Sequence, residues 1–252
     1  PRHNMIHGDL VSTYLGIDPL GYEEAIQQAL DYLDAQTPVT GNERYLLLGN
    51  RRQFALERGD LDEAERCCLA SLSLAAEDDS ASRARHFLVF NYNAQAEIAF
   101  RRGDLERLRE AAVEGERLAR SVGHQVELAG FRLWLAYLAR HEGDEQQAGR
   151  LFRQARARLN HLGMPPDSSY RDAECAFHQL RGDLSLAVQV RDQELRSLRD
   201  RGRFAYEATC LVKRAWLLRQ LGSLTHEDLA LARLAASRLR RPTRILEQIA
   251  RI

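Results

Sequence analysis

The chain has 252 residues, 44% hydrophobic, 29% charged and 7% aromatic. That is enough apolar material for a core, and it excludes a disordered chain. Its 36 basic and 36 acidic residues cancel, so the broad basic footprint of a nucleic-acid binder is missing.

Lys213 is the single lysine among arginines, a bias read either as the base composition of the gene or as a use of planar, bidentate donors. No apolar run approaches the roughly 20 residues needed to cross a bilayer, and no signal peptide opens the chain. Cys67, Cys68, Cys175 and Cys210 form no CxxC pair, and the adjacent Cys67 and Cys68 do not easily bridge each other. They read as buried thiols in a reducing compartment, which implies a cytoplasmic protein. The chain begins at Pro1 without an initiator methionine, and is expected to be trimmed or part of a longer protein.

Scarce proline and three- to four-residue apolar spacing predict helices throughout. The first pair is expected near 5–16 and 21–36, around the degenerate phrase Leu20-Gly21-Tyr22-Glu23-Glu24-Ala25. Pairs near 41–58 and 61–77, then 81–102 and 104–122, flank Arg58-Gly59-Asp60-Leu61 and Arg102-Gly103-Asp104-Leu105. Helices near 125–142 and 144–162 flank Glu142-Gly143-Asp144. Gly163-Met164-Pro165-Pro166 then breaks the chain without disturbing the spacing, so it reads as a kink and the whole of 1–252 as one array. The next pairs, near 167–181 with 183–200 and 203–221 with 225–239, surround Arg181-Gly182-Asp183-Leu184 and the weaker Leu221-Gly222-Ser223-Leu224. A last helix near 242–251 caps the open end.

The glycines of the five later phrases recur at intervals of 44, 40, 39 and 40 residues. Each glycine stops a helix by taking a left-handed conformation, and the following aspartate caps the next one. Stop and restart within two or three residues folds each pair antiparallel. One pair cannot bury its apolar faces alone, so neighbours must stack.

This pattern resembles the tetratricopeptide repeat, in a longer version of about 40 residues similar to repeats of bacterial signalling regulators. Small residues seven before the glycine (Ala96, Ala136, Cys175, Ala215) and alanines five after it (Ala64, Ala148, Ala187) match the family, as do Ser71, Gly115 and Ala155 twelve after it. Arg52, Leu108, Glu227, Glu194 and Leu234 depart from these rules. The resemblance implies an all-α, right-handed superhelical solenoid of antiparallel helix pairs.

In that family the first helix of each pair lines a concave groove, through residues six, nine and ten before the glycine and often three before. Those offsets nominate Asn50, Gln53 and Leu56; Asn93, Glu97 and Phe100; Trp134, Tyr137 and Arg140; Asp172 and Gln179; and Lys213, Trp216 and Arg219. Asparagine and glutamine amides can pair with the backbone of an extended peptide, and tryptophan and tyrosine are common binding anchors. Arg140, Lys213 and Arg219 could hold a carboxylate, or be ordinary surface residues. Trp134 and Trp216 are read equally as packing between helices, and one of Asn91 and Asn93 as a plain solvated position.

The implied function is a scaffold that binds a protein or peptide in the groove. The alternative is a ligand-sensing module of a signalling or transcriptional regulator. No metal or cofactor is implied. Catalysis has no support: HExxH, GxSxG and a phosphate loop are missing, and Cys175 with His178, three apart on one helix face, finds no second pair and reads as structural. The scattered histidines and the Glu23-Glu24 pair suggest no acid–base site. The repeat register makes Ala148→Glu severe, because it places a charge where two helices cross. Thermal and urea melts should record a loss of more than about 3 kcal/mol, and an unchanged melt would contradict the register.

Overall fold

The computed structural model of the chain describes Gln28 and residues 41–58, 60–77, 81–163, 170–200, 204–238 and 243–252. The expected first pair and its Gly21 phrase lie outside the described residues, except for Gln28, as does Gly59. Every regular element among the described residues is an α-helix, and there are eleven. In chain order they are α1 (Gly41–Arg58), α2 (Leu61–Glu77), α3 (Ala81–Arg102), α4 (Leu105–Ser121), α5 (Gln125–His141), α6 (Glu145–His161), α7 (Arg171–Leu180), α8 (Leu184–Asp200), α9 (Phe204–Leu221), α10 (His226–Ser237) and α11 (Thr243–Ala250). The expected ranges agree to within two residues at most ends. Helix α7 starts four residues later than expected, after Tyr170.

The turns follow the chemistry read from the Gly-Asp phrases. Gly103, Gly143, Gly182 and Gly222 have φ of 73°, 84°, 79° and 71°, which a side chain would oppose. At Gly103 the backbone closes a Schellman turn, in which the Asp104 N–H donates to the Ala99 carbonyl at 2.9 Å and the Gly103 N–H to that of Phe100 at 3.0 Å. The Asp104 carboxylate then accepts from the Arg107 N–H at 3.1 Å, and Asp144 accepts from the Gln147 N–H at 2.9 Å. After the weaker Gly222 phrase the cap is Thr225, in a reciprocal capping box with Asp228.

By packing, α1–α6 belong to one compact unit and α7–α11 to another. In the first, each helix packs on the next, and α3 also packs on both α1 and α5. The repeat's small positions sit at these crossings: Ala64, Ala96, Ala136, Ala148 and Ala155 are all 0% exposed. Arg52, which breaks the small-residue rule, is accommodated by a polar partner. Its guanidinium donates to Asn91 Oδ1 at 3.1 Å, and Asn91 Nδ2 donates to the Cys68 carbonyl at 3.1 Å, linking α1, α3 and α2.

In the second unit α7 packs on α8, α8 on α9 and α9 on α10. Helix α11 lies against α9 and α10, with Ile249 buried. Asp172 of α7 is held by Lys213 Nζ of α9 at 2.8 Å and by Arg191 of α8. All four cysteines are buried free thiols.

The tightest approach is at Gly115 of α4, where an added Cβ would stand 2.2 Å from Cε1 and Cζ of the Phe131 ring of α5. Phe131 is completely buried and the ring has nowhere to go. Gly115→Ala should therefore cost more than about 2 kcal/mol in urea unfolding. The same substitution in a Phe131→Leu background should cost clearly less, and equal costs in both backgrounds would contradict this contact.

Candidate functional site

The nominated residues of the first unit lie on α1, α3 and α5, and α3 packs on both of the others. Phe100, three before its turn glycine, places its ring 5.0 Å from Trp134 and 5.3 Å, edge-on, from Tyr137. Arg101 reaches back from α3 to donate to the Leu56 carbonyl of α1 at 2.6 Å. The positions differ in what they expose. Leu56 and Trp134 are 1% exposed and belong to the core, and Trp134 Nε1 is buried without a hydrogen-bond partner among the described residues. Glu97 is buried in an ion pair with Arg101, and Arg140 is buried with Nη2 donating to Glu145 at 2.6 Å. Asn50, Gln53, Asn93, Phe100 and Tyr137 are half-buried and present their outer edges. Burial raises the Tyr137 phenol pKa, so it stays a neutral donor. Asn50 Nδ2 is buried with no hydrogen-bond partner among the described residues.

In the second unit, Gln179 of α7 donates to Gln220 of α9 at 3.3 Å, and Lys213 salt-bridges Asp172. Trp216 is 39% exposed, with the Arg219 guanidinium 5.5 Å from its ring centre. Arg219 also donates to the Arg251 carbonyl at 2.9 Å. Each cation that the sequence reading offered to a carboxylate is thus already engaged within the fold. Offset from the glycine does not by itself set exposure: at six before, Trp216 is exposed, Tyr137 half-buried and Glu97 buried, and at nine before Trp134 is core while Asn50 and Lys213 are half-buried.

Three features escaped the sequence reading. Asn91, not a solvated position, is 1% exposed and ties three helices together. The misfit Arg52 one period earlier was the available signal. Glu127 of α5 is 7% exposed, its Oε2 has no hydrogen-bond partner among the described residues, and burial pushes its pKa up to about 7, partly offset by Arg52. A cleft also lies across α2, α3 and α4.

Cys175 donates to the Ala187 carbonyl at 3.6 Å, and burial pushes its thiol up to about 12, which leaves no thiolate for nucleophilic chemistry. Among the described residues no three His, Cys, Asp or Glu side chains gather to hold a metal, and no helix is long and apolar enough to cross a membrane.

No protein-family model matches the chain, and no curated protein matches it. Among solved structures it is similar to BtubC (BKLC) from P. vanneervenii, with 14% identity over 94% of this chain and 92% of that chain, and a TM-score of 0.49.

Glu127 makes stability depend on pH. Its folded pKa of about 7 lies above the reference of 4.5, so the folded state holds the proton more tightly. Its favourable contribution is complete below about pH 4.5 and is lost as pH rises through about 7. Glu127→Gln should remove this loss, so its melting temperature should exceed that of the wild type increasingly across that window. The gain should approach about 3 kcal/mol above neutrality, and a difference independent of pH would contradict the assignment.

Proposed function

We propose that the helix pairs are tetratricopeptide-type repeats of a right-handed superhelical solenoid, and that the wall made by their first helices binds a protein or peptide. The observation that carries this reading is that nominated residues on successive first helices meet side chain to side chain. Phe100 of α3 lies against Trp134 and Tyr137 of α5, and Lys213 of α9 holds Asp172 of α7. Side chains repeated at this period form rows that a linear ligand can follow.

The wall recognises its ligand with amides and aromatic edges. In the first unit Gln53 and Asn93 supply donors and acceptors for a peptide backbone and Tyr137 the anchor, and in the second unit Trp216 is the exposed aromatic. Arg140 and Lys213 already bind internal carboxylates, which leaves the exposed Arg219 beside Trp216 as the cation able to take one. The reading is of a binding scaffold without catalytic chemistry.

The test is to select ligands from a random peptide display library on the intact chain and titrate the best one. Asn93→Ala and Tyr137→Ala should each weaken it by about tenfold or more, without changing the circular dichroism. Unchanged affinity in both variants would remove the wall as the site.

A further inference from the structure

A second surface lies on the other side of α3. On a helix of 100° per residue, Tyr92, Gln95, Ala99 and Arg102 occupy the face opposite Asn93, Glu97 and Phe100. Together with α2 and α4 that face lines a cleft of about 560 Å³. This is within the size range of sites that take a few side chains. Its floor is apolar and fixed: Cys68, Ile98, Ala99 and Ala111 are all buried. Its rim carries Leu69, a leucine left 57% exposed.

The charges around the cleft are uneven. Arg102 binds Asp62 and Glu65 at 2.6 Å each, and Arg107 binds Glu65 at 3.2 Å and Asp104 at 3.5 Å. Further along α4, Glu114 binds Arg117 at 2.8 Å, while Glu110 has no ion-pair partner among the described residues. Three arginines thus face the five carboxylates of Asp62, Glu65, Asp104, Glu110 and Glu114. One end of the cleft is closed by compact ion pairs, and the other combines an exposed leucine with unbalanced negative charge.

We propose that this cleft is a docking site for a basic peptide segment of another protein, in which an apolar side chain is flanked by arginine or lysine. The apolar anchor covers Leu69 and enters over Ile98 and Ala111, and the flanking cation meets Glu110 and Glu114. Burying Leu69 supplies the hydrophobic contribution, and the carboxylates supply orientation and selection against acidic segments. Occupation of this cleft does not require occupation of the inner wall, because the two use opposite faces of α3.

The experiment is fluorescence anisotropy of the intact chain with a short labelled peptide of leucines flanked by arginines. Its control replaces the arginines by glutamate. The basic probe should bind saturably and weaken with added salt, and the acidic one should bind at least about tenfold less tightly. Leu69→Asp and Glu110→Arg, both at exposed positions, should each weaken the basic probe by about tenfold, while Tyr137→Ala leaves it unchanged. Equal binding of the two probes, or of Glu110→Arg and the wild type, would overturn the proposal. So would loss in Tyr137→Ala with Leu69→Asp unaffected, which would assign the probe to the inner wall. Self-association by sedimentation that Leu69→Asp abolishes would name a second copy as the occupant instead, and would equally overturn it.

Discussion

Close approach of helix backbones at small residues is the constraint on which the first unit depends. At Gly115 the α4 backbone comes so near α5 that the Phe131 ring fills the space of the missing side chain. Alanines at the other crossings, Ala64, Ala148 and Ala155 among them, have no exposed surface. A larger residue at any of these points forces the helices apart or leaves a strained side chain. Small residues hold most of these positions but not all, since Arg52 and Leu108 stand where the period would put one. Phe100 of α3 meets Trp134 and Tyr137 of α5, and the opposite face of α3 lines a cleft with α2 and α4.

Between these crossings the fold buries charge, and does so in linked sets. Arg52 is bound by Asn91, Arg101 by Glu97, and Arg191 with Lys213 by Asp172. Sets of this kind add little net stability, yet removing one member leaves another uncompensated. They fix which pair sits beside which. They also engage Lys213, one of the cations nominated from the sequence. Glu127 is the exception, a carboxyl without a full set of partners, so it holds its proton to an unusually high pH.

The helices and turns were legible in the sequence because both depend on neighbouring residues: apolar spacing, a glycine for positive φ, an aspartate for the cap. Exposure along the wall was less so. The offsets placed Trp134 and Trp216 on one face, yet one is core and the other 39% exposed, and Glu97 at the offset of Trp216 is buried, because exposure depends on which neighbouring helix covers each position. Long-range partners were hidden for a simpler reason, since no local pattern joins residues in different pairs. Even so, those partners lie close to one period apart: 39 residues for Arg52 with Asn91, 41 for Asp172 with Lys213 and 40 for Asp62 with Arg102. The outer cleft had no signature at all, because its walls come from three helices and its charge asymmetry from residues that each read as ordinary surface.

The contact between Gly115 and Phe131 is open to direct observation by nuclear magnetic resonance. An aromatic ring pressed against a glycine shifts its α-protons strongly upfield, and protons this close exchange magnetisation efficiently. Strong cross-peaks are expected from the Gly115 α-protons to the Phe131 ring, with at least one α-proton well outside the random-coil range. Gly115 α-protons at ordinary shifts, without cross-peaks to that ring, would contradict the crossing of α4 and α5 from which the register of the first unit follows.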